Sequence, residues 1–184
     1  MQLHLLTGNA DKLRHAQDTF GQFGIEVVKE PLKIDEIQAA TSREVARAAV
    51  FAAQRELGSV AVLREDHSFY IDELGFPGPF MAFADKTISV QALIKIVDTL
   101  SHRRGHFNVA AAYLDARGEL FETEFSVPVE FATEPRGNSE LNWERAIMLE
   151  GDTRTFAEVP SETRDHLWVQ NYQRVAEFIL SRPD

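Results

Sequence analysis

No cysteine occurs in the 184 residues. Disulfides, thiolate zinc sites and cysteine nucleophiles are therefore excluded. Basic residues are in the minority: 19 Lys and Arg stand against 29 Asp and Glu, a formal net charge of −10. Such a surface suits neither duplex nucleic acid nor an anionic membrane, which both select basic patches. It does not disfavour a free nucleotide, which needs only a few local cations or a metal ion. No run approaches the ~18 apolar residues of a membrane span. The opening MQLHLLTGN lacks a basic segment followed by an apolar core, so no signal peptide is expected and the expected compartment is the cytoplasm. Six scattered histidines show neither HxH nor HExxH spacing, which speaks against zinc, and no GxSxG elbow is present. Repeats and low-complexity linkers are likewise missing.

What remains is an ordinary globular composition, 44% hydrophobic and 10% aromatic, at a length that fits one domain. Leu3–Leu6 reads as a strand running into the tight turn Thr7-Gly8-Asn9. Leu13, Ala16, Phe20 and Phe23 then recur at helical spacing up to Gly24. Ile25–Val28 reads as a second strand. Thr41-Ser42-Arg43-Glu44 is a capping-box pattern opening an alanine-rich helix to about Leu57, stopped by Gly58. Val60–Leu63 is a continuous apolar run of the kind buried on both faces; Ser68–Ile71 reads as a short strand and Val90–Leu100 as a helix. His106–Leu114, the turn Asp115–Gly118 and Glu119–Phe131 predict a long antiparallel hairpin. A short strand near Ala146–Leu149 and a final helix from about Ser161 to Leu180 complete the pattern. The expected fold is α/β: a mixed sheet with flanking helices in a single domain of two lobes around a central cleft. The first lobe spans about 1–104 plus 161–184. The second, about 105–160, carries the long antiparallel β-ribbon.

Three places could carry chemistry. In LLTGNADKL, a turn feeds a helix N-terminus whose free N–H groups and dipole favour an anion. Gly8 admits close approach, Thr7 and Asn9 add donors, and Lys12 lies one turn in; an ordinary helix cap with a solvated lysine fits the same residues. Glu65 and Asp66 follow VAVL at an expected strand end, where one carboxylate can hold Mg²⁺ and the other position water. Glu36 is a further ligand candidate from another segment, and a solvated loop is the plain alternative. In PRGNSELNWER, Trp143 could stack on a nucleobase or sit in the core. GFPGPF, residues 75–80, reads as a rigid structural turn.

Taken in order, TGNADK, VLREDHSF with GFPGPF, EPRG, and RTFAEVPSETR resemble the inosine triphosphate pyrophosphatases, enzymes that hydrolyse non-standard purine nucleoside triphosphates to monophosphate and pyrophosphate. The resemblance covers essentially the whole chain. It implies that Thr7, Gly8, Asn9 and Lys12 hold the triphosphate. It implies that Glu36 and Asp66 hold Mg²⁺ with Glu65 nearby, that Asp66 orients or deprotonates the attacking water, and that the protein is a homodimer. Base contacts fall to Leu141, Trp143, Glu144 and Arg164. The departures lie mainly at the base-reading end. Leu141-Asn142-Trp143-Glu144-Arg145 stands where the family has Phe-Gly-[Trp/Tyr]-Asp-Pro. Trp168-Val169-Gln170 replaces Ser-His-Arg, Arg164 replaces a lysine, Ala49 stands at a helix-lysine position, and His67-Ser68 replaces [Ser/Thr]-Gly. The resemblance thus implies a Mg²⁺-dependent pyrophosphohydrolase with altered base preference. The alternative is a nucleotide-binding protein of the same fold with little turnover.

Overall fold

The computed structural model describes residues 1–182 and divides them into two compact units. The first takes Met1–His67, Val109–Phe125 and the segment from His166 onward; the second takes Ser68–Asn108 and Ser126–Asp165. These limits differ from the expected lobes. Residues 68–104 belong to the second unit, and the turn half of the hairpin, 109–125, belongs to the first.

The first unit begins with β1 (Gln2–Leu6), α1 (Ala10–Gly21), β2 (Glu26–Glu30) and α2 (Ser42–Leu57). Thr41 caps α2 through a complete capping box with Glu44, and Gly58 closes it with φ 82°. The N-terminal half of β3 (Val62–Ile71) follows. β1 pairs in parallel with both β2 and β3. The turn-side parts of β5 (Arg104–Leu114) and β6 (Leu120–Phe131), residues 109–125, extend the order to β2-β1-β3-β5-β6, and α5 (Gln170–Leu180) follows. Alternation along the strands sorts the core into two clusters. Leu3, Leu5 and Leu63 pack with Ala16 and Phe20 of α1 and Tyr172, Val175 and Ala176 of α5. Leu6 and Val62 pack on the other face with Ala46, Val50 and Ala53 of α2.

In the second unit β4 (Phe76–Gly78) pairs antiparallel with the far half of β3, and β7 (Ile147–Leu149) pairs antiparallel with β6. Helices α3 (Met81–Thr87) and α4 (Val90–Val97) follow β4 along the chain. The core is aromatic: Phe69 meets Phe107 at 4.7 Å between ring centroids, Phe131 at 5.9 Å and Trp143 at 6.1 Å.

Three expectations are corrected. The strand after Ala61 does not stop at Leu63; it continues through Arg64, Glu65, Asp66 and His67, so the acid pair lies inside β3 rather than at its tip. GFPGPF contributes a strand, with a cis peptide before Pro77, as well as a turn. The final helix is split into a 3-10 segment, Ser161–Leu167, and α5. Among the described residues no helix is long and apolar enough to cross a membrane.

Candidate functional site

Because β3 alternates, Glu65 follows Leu63 onto the α1/α5 face, whereas Arg64 and Asp66 follow Val62 onto the α2 face. Glu65 is only 3% exposed. Its Oε2 accepts the Tyr172 hydroxyl at 2.9 Å and lies 3.2 Å from His67 Nε2. Lys12 Nζ donates to the Glu65 backbone oxygen at 3.1 Å and stands 4.0 Å from its carboxylate. Oε1 is buried with no hydrogen-bond partner. Burial works against the Glu65 charge, but His67, Lys12 and Tyr172 together hold its pKa below the ordinary carboxylate range. Burial lowers Lys12 despite the nearby acids, lowers His67 with help from Lys12, and raises Tyr172. The His67 ring also packs on Trp168 at 5.6 Å between centroids.

Asp66 has a different environment. Burial pushes its pKa up to about 6, although Lys12 and Arg64 pull the other way. Arg64 Nη2 donates to Glu36 Oε1 at 2.6 Å and lies 3.7 Å from Asp66 Oδ1; its Nη1 donates to the Leu6 carbonyl at 3.2 Å. A cavity of about 630 Å³ opens beside it, lined by Thr7, Gly8, Lys29, Lys33, Glu36 and Arg64 among others. Ala49 also lines it, so its cations come from β2 (Lys29), the segment after it (Lys33) and β3 (Arg64) rather than from α2.

The turn before α1 is self-satisfied in part. Asn9 Oδ1 accepts from Asp11 N and Lys12 N, and Thr7 Oγ1 accepts from Asn9 N. Asn9 therefore caps the helix and keeps only its Nδ2 for a ligand, while Lys12 turns inward to Glu65 rather than outward over the turn.

Glu36 and Asp66 are the carboxylates expected to hold Mg²⁺, and they lie close enough to share one cation. That cation is the Arg64 guanidinium. Among the described residues no group of three His, Cys, Asp or Glu side chains converges as a metal site. A hard divalent ion needs bare carboxylate oxygens, so the donor set as arranged does not fit one.

The residues expected to read a base lie in the second unit. Glu144 is tied at both oxygens, accepting Ser139 Oγ at 2.6 Å and Arg164 Nη2 at 3.2 Å. Arg164 also donates to Phe156 O and lies over the Phe156 ring at 4.1 Å. Leu141 is 54% exposed. Trp143 is 1% exposed, and its indole N–H donates to Ile88 O at 2.8 Å. It is a core residue here, with no open face for a base to stack on. Asp85 fixes this segment by accepting the backbone N–H groups of Asn142 and Trp143 at 3.2 and 2.7 Å.

Sequence reasoning passed over Arg64, Tyr172 and Asp85. Arg64 was findable from alternation with Asp66. Tyr172 sits in the apolar stripe of α5, where a buried hydroxyl needs a partner.

The Ham1 family profile matches residues 3–169. This chain belongs to the Ham1 family. Two relatives are similar over nearly their whole length. The dITP/XTP pyrophosphatase of Thermococcus kodakarensis is 35% identical over 169 residues, covering 91% of this chain and 90% of that one. The inosine triphosphate pyrophosphatase of Mycosarcoma maydis is 32% identical over 172 residues, covering 90% and 86%. The solved HAM1 protein of Coxiella burnetii superposes with a TM-score of 0.83 at 18% identity, covering 99% of this chain and 100% of that one. The Ham1 fold is therefore shared along the chain.

Proposed function

We propose that this protein hydrolyses nucleoside triphosphates to nucleoside monophosphate and pyrophosphate, with non-standard purine nucleotides as the substrate class. The observation that carries this reading is the 35% identity, across 91% of the chain, to a dITP/XTP pyrophosphatase. The charged cluster on β3 supports it. Thr7, Gly8 and Asn9 Nδ2 would bind phosphate oxygens in front of the α1 N-terminus. Lys12 would supply positive charge at Glu65. Asp66, with a pKa of about 6, is suited to take a proton from water near neutrality. That water would attack the α-phosphorus, the α–β P–O bond would break, and pyrophosphate would leave. Mg²⁺ is the implied divalent ion, and Glu36 and Asp66 become available to it only when Arg64 leaves them. Glu144 and Arg164 are assigned to base recognition, with Leu141 in place of an aromatic; stacking on an aromatic is worth ~1–3 kcal/mol, so base preference should differ from that of relatives. A cytoplasmic homodimer is part of the same reading, and light scattering tests its stoichiometry.

The Arg64–Glu36 pair favours one second reading, a nucleotide-binding protein with little turnover. Both readings meet one experiment: pyrophosphate release from ITP, XTP, dITP, the standard triphosphates and several modified bases, for the wild type and Asp66→Asn. Release that is selective and lost in Asp66→Asn supports the enzyme. Thermal-shift binding without release supports the binding protein.

A further inference from the structure

Arg64 is not a loose surface group. Its side chain is 25% exposed, its Nε is buried without a partner, and its Nη1 is anchored on the Leu6 carbonyl. Strand alternation places it beside Asp66, and Glu36 reaches it from the segment after β2. The guanidinium is planar and always charged, with donors matched to carboxylate geometry. A divalent ion would need the same carboxylate oxygens, bare and arranged octahedrally. The two cations would also repel each other at contact distance.

We propose that Arg64 is a resident counter-cation that excludes a divalent ion from Glu36 and Asp66, so that metal binds only when the guanidinium is displaced. This rests on the reading of Glu36 and Asp66 as metal ligands. It makes the metal-free site a charge-balanced state, and it makes metal affinity a property set by an arginine that never touches the ion.

The test is direct binding of Mn²⁺ to the full chain, read by electron paramagnetic resonance, without substrate. Wild type is compared with Arg64→Met, which keeps the apolar stem, and with Arg64→Gln as a second variant. The expected result is a Kd at least tenfold lower in either variant, with the gain removed by adding Glu36→Gln. Equal or weaker binding in the variants, still sensitive to Glu36→Gln, overturns the exclusion and leaves the ligand assignment standing. No binding to any form overturns both. A further readout needs no variant: Mg²⁺ titration of the wild type should move the Arg64 Nε–H resonance in proton–nitrogen spectra. A bound metal with that resonance unmoved also overturns the proposal.

Discussion

Asp66→Asn should stabilise the metal-free protein at neutral pH while removing turnover. The native fold holds the Asp66 carboxyl at a pKa of about 6 against an ordinary 3.8, because burial outweighs the pull of Lys12 and Arg64. A carboxyl raised in this way disfavours its own charged form in the folded state by about 3 kcal/mol. The sign follows from linkage. Below pH 3.8 the group is protonated in both states and costs nothing. As pH rises through 3.8 to about 6, the unfolded chain releases the proton first and native stability falls. Above that window the full penalty applies. Asparagine cannot ionise, so it escapes this loss. The assay is urea unfolding in chelator at pH 4 and pH 7.5 for both proteins. The stability difference, variant minus wild type, should be about 2.4 kcal/mol more favourable at pH 7.5 than at pH 4, because the unfolded carboxyl is already partly ionised at pH 4. Taking the difference twice cancels the other titrating groups. A value independent of pH would show that Asp66 is solvated in the native state, and the argument from its burial would fail.

Four other outcomes are expected. Lys12→Met should lower kcat/KM for the preferred triphosphate at least tenfold, about 1.4 kcal/mol of transition-state stabilisation; an unchanged value in a pyrophosphate-release assay would reduce Lys12 to a support for Glu65. Asp85→Ala strands the N–H groups of Asn142 and Trp143 and should cost about 2–4 kcal/mol in denaturant unfolding, whereas a negligible loss would mean they find other acceptors. Glu144→Ala frees Arg164 and Ser139 and should reorder the base preferences more than it changes the maximal rate; an unaltered order in the nucleotide panel removes Glu144 from base reading. Gly137 has φ 74°, and an added Cβ would lie 2.4 Å from Ala157 O. Gly137→Ala should therefore lower the thermal midpoint, and an unmoved midpoint would show that the 137–157 contact yields easily.

Local signals in the sequence reached the structure intact where the interaction is local. The Thr41–Glu44 box, the Gly58 stop and the Asp115–Gly118 turn all depend on residues within a few positions, and each was legible. The run Arg64-Glu65-Asp66-His67 was not. Four polar residues inside a strand imitate a loop, and their partners on α1, α5 and the segment after β2 lie far off in sequence. Helix α3 is seven residues long, too short to show a period. The burial of Trp143 depends on Asp85 and Ile88, more than fifty positions earlier. What pattern could give was the list of charged residues; which of them neutralise one another is decided by tertiary pairing.

The Tyr172 hydroxyl meets Glu65 across 107 residues of sequence. During synthesis, Glu65 emerges long before the helix that completes its surroundings. Until α5 docks, its carboxylate lacks the Tyr172 donor and the cover of that helix, and the charged cluster stays open to water. Competence to handle a polyphosphate is thereby tied to a late event in the life of the nascent chain, and a product cut short before Tyr172 would carry the phosphate turn and the acid pair yet lack the donor that helps to hold Glu65 in place.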